Sequence, residues 1–124
     1  MHLLAIDLGT SLVKVLLATE SGRILAQAGA EYPLDQPHPN HAEQSPKNWW
    51  QATVTAVRTA LDQVEGEATS VSAIALSGQM HGTVLLNQGG DLLAPAIIWP
   101  DRRSGRQVEE ITNLITCVSR AKNG

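Results

Sequence analysis

Three apolar runs joined by two short turns constrain the first 32 residues more than anything else in this 124-residue chain. Residues 3–7 (Leu-Leu-Ala-Ile-Asp) and 12–19 (Leu-Val-Lys-Val-Leu-Leu-Ala-Thr) flank Leu8-Gly9-Thr10-Ser11, and residues 24–32 follow Glu20-Ser21-Gly22-Arg23. Branched and apolar residues between glycine-containing turns read as strands. Parallel neighbours need a crossover of roughly a dozen residues or more, and these turns are far shorter. The spacing predicts an antiparallel β-meander.

Four prolines between Pro33 and Pro46 break regular structure and predict an exposed loop. Ser45 is a suitable N-cap and Pro46 suits the first helical position. Trp50, Val54, Val57, Leu61 and Val64 then recur at helical spacing, which predicts an apolar stripe lying on a sheet, with Gly66 and its charged neighbours ending the helix. Residues 71–77 read as a buried strand, interrupted by Gly78-Gln79-Met80-His81-Gly82 and resumed over 83–86. Asn87-Gln88-Gly89-Gly90-Asp91 is a hairpin turn, and 95–99 reads as a last short strand. A helix is expected from about Ser104, with Val108, Ile111, Ile115 and Val118 on one face. One sheet covered by helices is an α/β arrangement.

With 43% hydrophobic residues and 17% charged ones, the chain has enough apolar material for a core and is not of disordered composition. There is no Phe, so Leu, Val, Ile and Ala must build that core. A net charge of −3 argues against a dedicated nucleic-acid binder. Basic residues do gather late, at Arg102, Arg103, Arg106, Arg120 and Lys122, but Asp101, Glu109 and Glu110 dilute them. Cys117 is the single cysteine, which excludes an internal disulfide and fits a reducing, cytoplasmic setting. Apolar runs are too short for a membrane span, and the first breaks at Asp7, too early for a signal peptide. His38, His41 and Glu43 share the proline-rich loop but lack a fourth ligand at zinc spacing, so a solvated loop is the better reading.

Three segments carry chemistry. In Asp7-Leu8-Gly9-Thr10-Ser11, an acid ends a strand and a glycine turn follows with two hydroxyls. Backbone N–H groups of such a turn can point at phosphate oxygens, and Asp7 can hold a hydrated Mg²⁺ through one carboxylate oxygen. A plain hairpin bonding its own turn is the competing reading. In Ser77-Gly78-Gln79-Met80-His81-Gly82, flanking glycines mark either a β-bulge or a close ligand approach. There Gln79 and His81 offer hydrogen bonds to sugar hydroxyls, and Met80 offers an apolar contact. In Trp99-Pro100-Asp101-Arg102-Arg103, Trp99 suits the apolar face of a sugar and Asp101 suits its hydroxyls. Equally, Trp99 could fill core and Asp101 could start the helix.

Together, in order and spacing, these segments resemble the beginning of the FGGY carbohydrate kinases, and within that family the members that phosphorylate D-xylulose. The resemblance extends to His38-Pro39, to Glu43-Gln44-Ser45-Pro46 leading into Trp49-Trp50, and to Pro95-Ala96-Ile97-Ile98-Trp99. It covers residues 3 to about 110, and residues 112–124 depart from the pattern. It implies a ribonuclease-H-like (actin-like ATPase) N-terminal domain, present here only in part over residues 1–124, with a mixed sheet opening on the meander. It also implies that ATP and sugar bind in a cleft between this domain and a second one. Asp7 would then face the Mg²⁺–phosphate end of the cleft, without being the general base. Gly9, Thr10 and Ser11 would approach the ATP phosphates. Gln79, Met80 and His81 would contact the sugar, Asp101 would bind its hydroxyls and Trp99 would line the pocket.

The implied reaction moves the γ-phosphoryl group of ATP to the 5-hydroxyl of D-xylulose. Glycerol-specific members carry Asn-Gln-Arg-Glu where Gln79-Met80-His81-Gly82 stands, which disfavours glycerol; another pentulose or hexulose stays open. In the family pattern the aspartate base and the adenosine-holding domain lie beyond residue 124. The 124 residues alone are therefore expected to be inactive, and to self-associate through uncovered core surface. The alternatives are a non-catalytic sugar-binding module or a remnant without function.

Overall fold

The computed structural model describes residues 1–64 and 71–122, with side chains of the last helix described as far as Ile115. Strands β1 (His2–Leu8), β2 (Leu12–Thr19) and β3 (Ile24–Glu31) form the expected antiparallel meander, with Asp7 opposite Lys14 and Leu16 opposite Gln27. The first turn closes through the Gly9 N–H on Leu12 O at 3.1 Å. It needs glycine, because a Cβ there would stand 3.0 Å from that same oxygen. In the second turn Gly22 takes a φ of 85°, which an L side chain would disfavour.

Helix α1 (Pro46–Leu61) is the crossover from the meander to β5 (Val71–Gly78), which pairs in parallel with β1 and gives the sheet order β3-β2-β1-β5. Ser45 takes the N-cap position in extended geometry and Pro46 the first helical one, as expected. The Ser45 hydroxyl makes no capping bond; its carbonyl instead receives the N–H groups of Asn48 and Trp49. The helix stops at Leu61, so Val64 lies beyond it, and Gly66 falls outside the described residues.

The face of α1 that packs on the sheet matches expectation at Val57, Leu61 and Val64 and differs at Trp50 and Val54. Ala52, Ala56 and Ala60 are buried against Leu4, Val13, Val15, Leu17, Ala26 and Tyr32, while Trp50, placed in the stripe from sequence, is 70% exposed. Small residues along one line let the helix axis lie close to β2 and β3, and larger neighbours then wrap the seam. Trp49, Val57, Leu61 and Val64 do so. Fully burying a Val or Leu contributes about 1.5–3 kcal/mol, so the three buried branched residues of β2 dominate this core.

A second, two-stranded sheet pairs β4 (Glu43–Gln44) with β6 (Ala96–Ile97). Residues 83–86 do not resume a strand: Thr83 bridges Ile97, and Leu86 bridges Leu92 around the turn at Asn87–Asp91. That turn is as expected, with Asn87 Nδ2 donating to Asp91 Oδ2 at 2.9 Å. Nor is β5 buried. Its register sets Ile74 and Leu76 beside Leu4 and Ile6, on the face α1 covers further along, yet they are 61% and 78% exposed. The reason is reach, since α1 packs over β2 and β3 and leaves the β5 edge uncovered. Helix α2 (Gly105–Lys122) begins close to the expected place and leaves Val108, Ile111, Leu114 and Ile115 exposed. Cys117 lies past the last described side chain. Among the described residues no helix is long and apolar enough to cross a membrane.

Candidate functional site

The C-terminal end of β1 is where the three sequence segments meet. Three consecutive carbonyls leaving that strand each receive a donor from a different part of the chain. Leu8 O accepts the Gln79 N–H at 2.8 Å, Gly9 O accepts the Tyr32 hydroxyl, and Thr10 O accepts Gln44 Nε2 at 2.7 Å. The Thr10 hydroxyl in turn accepts the indole N–H of Trp99 at 3.0 Å. The glycine turn, the 78–82 segment and the end of β6 are thus brought to one place.

Asp7 lies exposed on the sheet face opposite α1, next to Lys14 on β2 and Ser77 on β5. Together with Ala5, Leu16 and Ala75 they border a shallow groove of about 260 Å³. Among the described residues no three ligating side chains gather. A single accessible carboxylate suits Mg²⁺, which is usually held by one or two carboxylates with waters and substrate phosphates. The donor set therefore fits a phosphate-borne ion better than a cage built by protein. His38 and His41 meet edge to face, with ring centroids 5.1 Å apart.

Of the residues expected to meet a sugar, Met80 is 71% exposed and Trp99 58%, so both present apolar surface to solvent. His81 holds a φ of 62°, a left-handed conformation uncommon outside glycine, which fixes how its imidazole leaves the chain. Gln79 is spent differently. Its Nε2 donates to Gln44 Oε1 at 3.0 Å, and its own Oε1 is buried without a partner in the chain.

Asp101 is drawn into a structural clasp. Its carboxylate accepts the Ala42 N–H at 2.7 Å, the Arg103 N–H at 2.9 Å, and the Arg103 guanidinium through both Nε and Nη2. Arg103 also reaches Glu43 at 2.7 Å. The hydrogen bonds from Arg103 hold the Asp101 carboxyl well below the usual carboxylate range, helped by the Ala42 N–H and opposed by desolvation. The same bonds, first to Asp101 and then to Glu43, raise the guanidinium of Arg103 further. This clasp ties residues 42–43 to residues 101–103, just ahead of α2.

Two contributors were not singled out from sequence. In sequence Tyr32 is only the end of a strand, yet its hydroxyl donates to Gly9 O and anchors the turn; burial, and then the charge of Asp7, push its phenol upward. Gln44 was noted only as part of a motif, yet it is 1% exposed and bonded at both ends of its amide. A lone Tyr ending a strand and a Gln two residues before a helix-opening Pro were the available signals.

A family model described as the N-terminal domain of the FGGY family of carbohydrate kinases matches residues 2–124. A xylulose kinase from Escherichia coli strain K12 is 42% identical over 111 residues, covering 90% of this chain and 22% of that relative. A glycerol kinase from Thermococcus onnurineus strain NA1 is 30% identical over 122 residues, covering 98% of this chain and 25% of its own length. Among solved structures, that of a xyloylose kinase from Brucella ovis superposes with a TM-score of 0.87 at 39% identity, covering 90% of this chain and 23% of the other. The chain thus spans under a third of these relatives' lengths. With the family match running over residues 2–124 and the fold superposing closely on a solved kinase, this chain belongs to the FGGY family of carbohydrate kinases.

Proposed function

We propose that this chain forms one wall of the cleft of an ATP-dependent ketopentose kinase, the substrate being D-xylulose and the product D-xylulose 5-phosphate. One observation carries the reading: the glycine turn and Trp99, separated by 89 residues, are in direct hydrogen bond, with Gln79 bonded to the same strand end. A phosphate-side turn and a sugar-side wall are thereby adjacent, as transfer between two bound substrates requires.

Thr10 and Ser11 offer hydroxyl donors to phosphate, and Gly9 lets the anion approach a backbone without a Cβ. Asp7 orients a hydrated Mg²⁺, which when bound neutralises phosphate charge. Met80, His81 and Trp99 line the sugar. Gln79 is one layer back, positioned by Gln44. A sugar contact from Asp101 rests on the motif alone, because its oxygens are already engaged by Ala42 and Arg103. No residue here is assigned as the base that takes the hydroxyl proton, so the reading for these 124 residues alone is binding without turnover. D-xylulose is favoured over glycerol by Met80-His81 and by the higher identity to a xylulose kinase. A cytoplasmic location and self-association through the β5 edge belong to the same reading.

The test is an amide NMR titration of the 124-residue chain with D-xylulose, other pentuloses, a hexulose, glycerol and Mg·ATP, alongside ATP turnover. Shifts at Met80, His81 and Trp99 with D-xylulose and not glycerol, without turnover, are expected. Equal response to every polyol would overturn the substrate assignment. No response to any sugar or nucleotide would overturn the wall itself, and turnover near that of an intact kinase would overturn binding without catalysis.

A further inference from the structure

We propose that Gln44 is a positioning residue that locks the phosphate-side turn to the sugar-side segment, so that a displacement of either is transmitted to the other. The functional meaning rests on the reading above; the mechanical claim does not.

The amide of Gln44 has no freedom left. Oε1 accepts Trp49 Nε1 at 3.0 Å and Gln79 Nε2 at 3.0 Å, while Nε2 donates to Thr10 O at 2.7 Å. An indole N–H only donates and a carbonyl only accepts, so turning the amide over would break the bonds to Trp49 and Thr10. Gln79 accepts the orientation Gln44 imposes even though its own Oε1 is then left buried and unpaired in the chain. That is the costly arrangement for a buried acceptor, and it identifies Gln44 as the member that dictates.

The bonds also close a ring. Leu8, Gly9 and Thr10 are joined covalently, Thr10 to Gln44 and Gln44 to Gln79 through side chains, and Gln79 back to Leu8 through its N–H. A closed ring of short links resists shear in a way that an open chain of the same bonds does not. Gln44 is itself held on three sides: by pairing with Ala96 across the small sheet, by Trp49 in the first turn of α1, and by near-complete burial. The competing view is that Gln44 only satisfies its immediate neighbours, in which case its loss stays local.

The three tryptophan indole N–H signals separate these views without any sugar or nucleotide, so the outcome is independent of whether the chain binds either. Trp49 bonds Gln44 directly, the indole N–H of Trp99 bonds Thr10 instead, and Trp50, 70% exposed, is the reference. In Gln44→Met the Trp99 and Trp49 signals should both move toward the position of Trp50, and the Gln79 amide should shift with them. Movement of Trp49 alone, in a variant keeping its amide dispersion, overturns the proposal. Should Gln44→Met fail to fold, Gln79→Met decides from the other side. It removes the Gln79 Nε2 donor to Gln44 and leaves the bonds of Gln44 to Trp49 and Thr10 in place. The Trp99 signal should then shift although neither it nor Thr10 has been altered, and an unmoved Trp99 overturns the lock.

Discussion

The indole N–H of Trp99 donates to the hydroxyl of Thr10 at 3.0 Å, joining the two ends of the candidate site across 89 residues of chain. The bond lies at the surface, so its net value is modest, and its importance is geometric: it sets the angle at which the indole stands over the turn. Trp99→Phe keeps a ring and removes the donor. We expect a stability loss of only ~0.5–1.5 kcal/mol by urea unfolding. A loss several times larger would mean that Trp99 is core rather than wall.

Tyr32 gives a clean optical reporter, being the single tyrosine of the chain. Its phenol is held above the ordinary value of 10.0 by burial and by Asp7. The sign follows: the neutral form is favoured on folding, so this contribution is intact below pH 10 and is lost as pH rises through the folded value. Tyrosinate absorbance should therefore appear late, with loss of stability in the same alkaline window. In Tyr32→Phe that alkaline loss should be absent, and at neutral pH the missing bond to Gly9 O should cost about 1–3 kcal/mol. Ionisation at or below pH 10 in the folded chain would contradict the arrangement.

The clasp at Asp101 should show the opposite sign. Arg103 and the Ala42 N–H depress this carboxyl below its ordinary 3.8, so its contribution is complete above that pH and disappears as pH falls through the lower, folded value. Comparing urea midpoints of the chain and Asp101→Asn from pH 7 to pH 2, we expect a constant gap down to about the ordinary value and a closing gap below it. A gap that varies between pH 5 and pH 7 would point to another group.

Ala56 is fully buried on the sheet-facing side of α1 while Trp50 is 70% exposed. Ala56→Leu should overpack the seam against β2 and β3 and cost ~1–3 kcal/mol. Trp50→Ala should stay within about 0.5 kcal/mol. Reversed magnitudes would restore the larger-residue stripe as the packing face.

Leu76 is 78% exposed on β5, next to Ile74 at 61%. Contiguous apolar surface of this kind marks a contact face. Sedimentation equilibrium should show mass rising with concentration for the chain, and less so for Leu76→Glu. A monomer across the whole range would remove self-association from the reading.

How far the sequence foretells this molecule depends on how local each cause is. The meander was legible because two short turns leave no other connection between three apolar runs, and Ser45-Pro46 announces α1 by position alone. The packing face of α1 was legible only in part: Val57, Leu61 and Val64 pack as expected, but counting large residues favours Trp50 and Val54, whereas close approach to a sheet favours the small Ala52, Ala56 and Ala60. The exposure of β5 was not legible either: Ile74 and Leu76 alternate with alanines as in a buried strand, but burial depends on what lies across from them. The site motifs were legible as residue types, and the bonds through Tyr32 and Gln44 were not, since their partners stand 23 and 34 residues away.

The three carbonyls at the end of β1 have an electrical consequence. In a trans peptide the N–H points opposite to the C=O of the same unit, and the described chain has no cis bonds. Tyr32 and Gln44 pull the Gly9 and Thr10 oxygens inward, so the N–H ends of those two peptide units, which belong to Thr10 and Ser11, face the other way. The positive pole of the turn is thus aimed by side chains remote in sequence. The same five residues moved to another scaffold without Tyr32 and Gln44 would keep their letters and lose their polarity.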